Sequence, residues 1–143
     1  MSAASRHFRQ PARPRRARGG FEARPWGGFQ TLEEGPGYKV KRLVVEPGQR
    51  LSLQRHRFRA EHWVVIEGSP RVLIAGRVRR LKPRATVNVA RGAWHRIENP
   101  GKEPVVIVEV QHGPYLGEDD VIRRQDDYGR MIGSSAGRRA SSR

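Results

Sequence analysis

LSLQRHRFRAEHWVVI, residues 51–66, places a glutamine, two histidines and a glutamate within nine positions, next to an apolar run. The run from Leu51 to His56 alternates as a β-strand does, and "EHWVVIEG" (61–68) reads as the next strand, ending at a glycine. Alternate strand residues share a face, so Gln54 and His56 point together. If Glu61 faces inward, Trp63 and Val65 do too, while His62 and Val64 face outward.

Outward from this stretch the pattern repeats. Strands are predicted at 38–45, 51–56, 61–68, 70–76, 77–82, 85–90, 95–101 and 103–113, with a hairpin around Ala75–Gly76. Only "EDDVIRRQDDY" (118–128) looks briefly helical, with acids in its first turn, and "GEDD" (117–120) reads as its cap. Eight short strands without a helical period argue for an all-β sandwich or barrel. Trp26, Trp63 and Trp94 are expected to pack the barrel ends.

The 143 residues fit one domain. No apolar run reaches membrane-spanning length and no secretory leader is legible, so a cytoplasmic protein is expected. The chain has no cysteine, which excludes disulfides and thiolate chemistry and leaves imidazole, carboxylate or amide oxygen to hold any metal. The net charge of +15 is concentrated at the ends. Residues 1–24 hold seven arginines against one glutamate, and 130–143 hold four arginines and no acid. The segments 1–23 and 131–143, rich in Arg, Pro, Gly and Ser, are expected to be disordered basic tails around a domain at 24–130. The domain shows no nucleic-acid motif, so nucleic acid is not an expected partner.

Gln54, His56 and Glu61 can converge across one turn, and His95 in "RGAWHRIEN" is a fourth donor. Two imidazoles, a carboxylate and an amide oxygen suit Zn²⁺, Mn²⁺, Fe²⁺ or Co²⁺. A His–Glu pair on adjacent strands is also read as a salt bridge or core hydrogen bond, and an inward Gln54 is served by buried water as well as by a metal.

The stretch "PGQRLSLQRHRFRAEHWVVIEG" resembles the first cupin motif, with Gly48, His56, Glu61 and Gly68 in register, and "ARGAWHRIEN" resembles the second, with Gly92, His95 and Asn99. More narrowly, "RPWG", "YKVKRLVVEPG", "LSLQRH", "RAEHWVV", "HRIENPG", "VEVQ", "YLGEDD" and "DDYGR" are similar to the cupin domain of type II mannose-6-phosphate isomerases, which usually forms the C-terminal part of bifunctional isomerase/guanylyltransferases. The resemblance implies a single cupin, a double-stranded β-helix or jelly-roll barrel. Gln54 stands where common cupins place His, which shifts the likeness from oxygenases toward the isomerases. Ala90 and Arg84 stand where the second motif normally has Pro and Gly. The family's Gly-rich nucleotidyltransferase loop is missing from these residues, so guanylyltransferase activity is not carried over.

The resemblance implies interconversion of mannose 6-phosphate and fructose 6-phosphate, with one divalent metal, zinc first, on Gln54, His56, Glu61 and His95. Arg59, Lys41 and Arg96 are the cations expected at the phosphate or enediolate. The base is sought in His62, which alternation turns outward, or in Glu109, with Gln111 as substrate contact if their shared strand face is inward. The alternative is a non-catalytic cupin that binds a sugar phosphate or sugar nucleotide beside a separate nucleotidyltransferase. A homodimer is compatible with the fold.

Overall fold

The computed structural model describes residues 19–128. Residues 1–18 and 129–143 lie outside the described residues, and with them most of the expected tail at 1–23 and all of the expected tail at 131–143. Eleven strands form among them: β1 (Glu22–Arg24), β2 (Gly27–Gly35), β3 (Tyr38–Val45), β4 (Leu53–Arg55), β5 (Ala60–Glu67), β6 (Arg71–Ile74), β7 (Arg77–Arg80), β8 (Thr86–Val89), β9 (His95–Glu98), β10 (Val105–His112) and β11 (Ile122–Gln125). They make two sheets, ordered β1-β2-β3-β10-β5-β8 and β11-β4-β9-β6-β7. Every pairing is antiparallel. No helix of the described residues is long and apolar enough to cross a membrane.

Three expectations need correction. β1 takes up residues 22 and 23, which were placed in the N-terminal tail. It and β2 lie outside the predicted strands, which begin at residue 38; antiparallel pairing with β3 makes "GGFQTLEEG" a strand. The helix over 118–128 does not form; the segment turns and then pairs β11 with β4. Its two adjacent apolar residues make no helical stripe, and the Asp120 carboxylate instead accepts the backbone N–H groups of Arg57 and Phe58 at 2.9 and 3.0 Å. Trp26 and Trp63 are buried, but Trp94 is half-buried, with the guanidinium carbons of Arg55 and Arg124 4.9 and 4.5 Å from its ring.

The inward stripes explain where a site can lie. Along β3, Lys39, Lys41, Leu43 and Val45 alternate inward; along β5, Glu61, Trp63 and Val65; along β10, Ile107, Glu109 and Gln111. The register sets Ile107 beside Leu43 and Val65, Glu109 beside Lys41 and Trp63, and Gln111 beside Lys39 and Glu61. Apolar residues therefore fill one end of the space between the sheets, with Val72, Ile97 and Val105. Polar residues meet at the other end.

Two turns hold this frame. Gly68 follows β5 at φ 78°, and a Cβ there would lie 2.8 Å from the Pro104 oxygen, so no other residue fits. Gly92, at φ 79°, donates its N–H to His56 O at 2.8 Å and so ties the loop before His95 to the end of β4.

Candidate functional site

At the polar end, β4, β5 and β9 bring His56, Glu61 and His95 together, all buried. One ligand atom of each lies within 4.8 Å of the other two. His56 Nε2 is 3.0 Å from Glu61 Oε1, and His95 Nε2 is 3.6 Å from Glu61 Oε2. The opposite ring nitrogens are committed to backbone: His56 Nδ1 donates to Asp120 O at 2.5 Å and His95 Nδ1 to Ala93 O at 2.9 Å. Those bonds leave each neutral Nε2 with its lone pair, aimed at a carboxylate that also only accepts. Three acceptors aimed at one another call for a cation between them. The outer ring nitrogen bound to a carbonyl is the arrangement that fixes a metal-ligating imidazole.

Arg59 supplies one cation. Its Nε and Nη2 each lie 3.0 Å from Glu61 Oε1, and Nη2 is 3.2 Å from His56 Nε2. It does not reach His95, whose Nε2 is buried without a hydrogen-bond partner. With that one orphaned nitrogen, the two imidazoles and the carboxylate fit a divalent metal. Gln54 is paired in register with His95 and lines the same cavity as Glu61.

The electrostatics separate two carboxyls. Burial pushes Glu61 up, but the pull of the groups around it, His56, His95 and Arg59, outweighs it and holds the carboxyl well below the ordinary carboxylate range. Burial, then the charge of Glu61, push Glu109 up to about 8, against the pull of Arg59 and Lys41. Burial likewise pulls His95 below its ordinary value, against the attraction of Glu61. Gln111 Nε2 donates to Glu109 Oε1 at 2.6 Å, and Gln111 Oε1 is buried without a partner.

The open question of phase on β10 is thus answered: Glu109 and Gln111 face inward. They line one cavity with Lys41, Gln54, Arg59 and Glu61. Lys41 lies with Nζ 4.0 Å above the Phe29 ring and pairs with Glu118. Two sequence candidates fall outside. His62 is turned to the outer face of the sheet, as period-2 alternation from Glu61 requires, and has no path to the cavity. Arg96, one position from inward His95, is turned the other way; it donates to Leu51 O and to Gln125 Oε1, both at 3.1 Å, as a strut between β9, the segment before β4, and β11. Sequence reading missed Glu118, taken as part of a helix cap, and the role of Asp120 O in orienting His56. Only the tertiary fold carries the 113–121 segment to the cavity mouth.

The family model described as mannose-6-phosphate isomerase C-terminal matches residues 19–126. This chain belongs to that family. It is 49% identical over 108 residues to mannose-1-phosphate guanylyltransferase ManC of Salmonella typhimurium, covering 76% of this chain and 22% of that one. It is 46% identical over 107 residues to xanthan biosynthesis protein XanB of Xanthomonas campestris, covering 75% and 23%. The chain spans less than a quarter of the length of these relatives. Among solved structures, the capsular polysaccharide assembling protein CapF of Staphylococcus aureus matches at TM-score 0.65 and 16% identity, covering 75% of this chain and 34% of that one. A double-stranded β-helix protein of Klebsiella pneumoniae matches at TM-score 0.60 and 23% identity, covering 68% and 83%. At these identities the likeness establishes the cupin fold.

The relatives overturn one expectation. A stand-alone isomerase of mannose 6-phosphate and fructose 6-phosphate does not follow from them. They are named for guanylyl transfer and xanthan biosynthesis, and this domain matches only a small share of each.

Proposed function

We propose that this domain is a metal-holding cupin that binds a mannose phosphate or its nucleotide sugar and acts beside a mannose-1-phosphate guanylyltransferase. One observation carries the reading. Glu61, the carboxylate of the His56–Glu61–His95 cluster, lines one cavity with two buried cations, Lys41 and Arg59, and with the amides of Gln54 and Gln111. A phosphorylated sugar needs such a mixture: cations for the phosphate and amide or carboxylate groups for hydroxyls. The names of the relatives supply the sugar and the neighbouring activity. Zinc is the first choice of metal, held by His56, Glu61, His95 and Gln54, where it would supply a positive charge to anchor ligand oxygens. A cytoplasmic location with that partner belongs to the same reading.

The test is calorimetry of the full, Zn²⁺-loaded chain with mannose 1-phosphate, mannose 6-phosphate and GDP-mannose. At least one should bind, and Arg59→Ala should lose that binding while keeping the metal. Failure of all three to bind folded, metal-loaded protein overturns the proposal. Addition of this chain to a relative's guanylyltransferase segment, assayed for guanylyl transfer, tests the partnership.

A further inference from the structure

Outward alternation gives His62 a second setting. On the outer face of the six-stranded sheet its Nδ1 lies 2.6 Å from Asn88 Oδ1, across the β5–β8 pairing that sets His62 beside Asn88. Its Nε2 lies 2.6 Å from Nε2 of His112, on the neighbouring strand β10. The two ring planes differ by 2° with centroids 4.7 Å apart, so with these nitrogens in contact the rings lie nearly edge to edge in one plane. His112 is exposed and His62 half-buried.

The hydrogen-bond roles follow. Asn88 Oδ1 can only accept, so His62 Nδ1 carries the proton and its Nε2 keeps the lone pair. Two lone pairs do not sit 2.6 Å apart, so His112 donates its Nε2–H across the gap. A small cation can take the place of that proton. His112 then carries its proton on Nδ1, and both Nε2 lone pairs face the ion.

We propose that His62 and His112, oriented by Asn88, form a second divalent-metal site on the outer face of the sheet, separate from the barrel cluster. Imidazole donors without sulfur or carboxylate select Zn²⁺, Cu²⁺ or Ni²⁺ over Mg²⁺ or Ca²⁺. The carbonyl on the distal ring nitrogen of His62 is the outer partner that a metal-bound imidazole characteristically has. Zn–N bonds of about 2.0–2.1 Å at a tetrahedral angle set the two nitrogens roughly 3.3 Å apart. The rings must therefore separate by roughly 0.7 Å, which the exposed His112 ring can supply by rotation about its own side-chain bonds. Water completes the coordination. This site is independent of the cavity that would hold a sugar phosphate, because Glu61 and His62 are neighbours that face opposite sides of β5.

Zn²⁺ calorimetry on the full chain should resolve two classes of site in the wild type. His62→Ala and His112→Ala should each keep only the tighter class. Asn88→Ala should weaken the second class by about ten- to a hundredfold. His95→Ala should keep the surface class and lose the barrel class. Substoichiometric Cu²⁺ added to the wild type should broaden the ring resonances of His62 and His112 in NMR spectra, a readout that needs no variant to fold. A single class in the wild type, two classes surviving in the His62→Ala/His112→Ala variant, or unbroadened ring resonances would each overturn the site.

Discussion

Glu61 and Glu109 share one donor: the indole N–H of Trp63 lies 3.1 Å from an oxygen of each. Both carboxyls are buried, and this bond is the link between the one held ionised and the one pushed up to about 8. Trp63→Phe keeps most of the ring volume and removes the donor. A buried acceptor left short of its partner costs about 1–3 kcal/mol, and that loss is expected in denaturant unfolding of the metal-free chain. A variant as stable as the wild type would show that the shared bond contributes nothing.

Arg59 and a bound metal both answer the charge of Glu61, so their effects on stability should overlap. Without metal, Arg59→Ala leaves a buried carboxylate short of its nearest cation, a change that costs about 3–5 kcal/mol. With Zn²⁺ bound, the ion takes over that role and the loss should be much smaller. Unfolding measured with and without chelator separates the two states. Equal losses in both would mean that the metal does not sit on Glu61.

The fold and the heart of the site were legible because period-2 alternation is a local property. It put Gln54 with His56 and Glu61 with Trp63, and it turned His62 outward, where the structure has it. The same rule, applied from His95, would have removed Arg96 from the cavity. The phase of Glu109 was not legible, since β10 is apolar on both faces around it: Val108 and Val110 alternate with Ile107 and the polar pair, and only the register with β3 and β5 fixes which set is inward. Glu118 and Asp120 were hidden for another reason. Their partners Lys41 and His56 lie more than sixty residues away in sequence.

The Lys41–Glu118 pair gives a pH dependence with a definite sign. Burial raises Glu118, but the charge and hydrogen bond of Lys41 outweigh it and hold the group below its ordinary value of 4.5. A carboxyl depressed in the folded state contributes stability above its unfolded value, and the contribution is lost as pH falls through the lower folded one. Glu118→Gln should therefore melt below the wild type at neutral pH, and the gap should close under acid. Melting curves recorded across the acid limb check this; a gap that stays constant with pH would assign the effect to packing.

Arg84 carries a strain that the sequence announced, since it stands where the resembled motif has glycine. Ala85 N–H donates to Lys82 O at 3.0 Å, closing a turn with Pro83 and Arg84 in the middle, and Arg84 sits at φ 74°. A proline followed by a residue of positive φ is the pattern of a type II turn, whose third position favours glycine. An L side chain in the left-handed region costs about 1–2 kcal/mol, and glycine gives part of that back through its greater freedom in the unfolded chain. Arg84→Gly should therefore stabilise the domain by about 0.5–1 kcal/mol. The same logic applies to Ala75, at φ 49° before Gly76 in the β6–β7 hairpin, where Ala75→Asn builds the Asn-Gly pair that such hairpins prefer. Thermal unfolding of the two single variants and their combination checks both, with near-additive gains expected because the turns share no partner. A lower melting temperature for Arg84→Gly would mean that the arginine side chain holds the turn by a contact worth more than the strain.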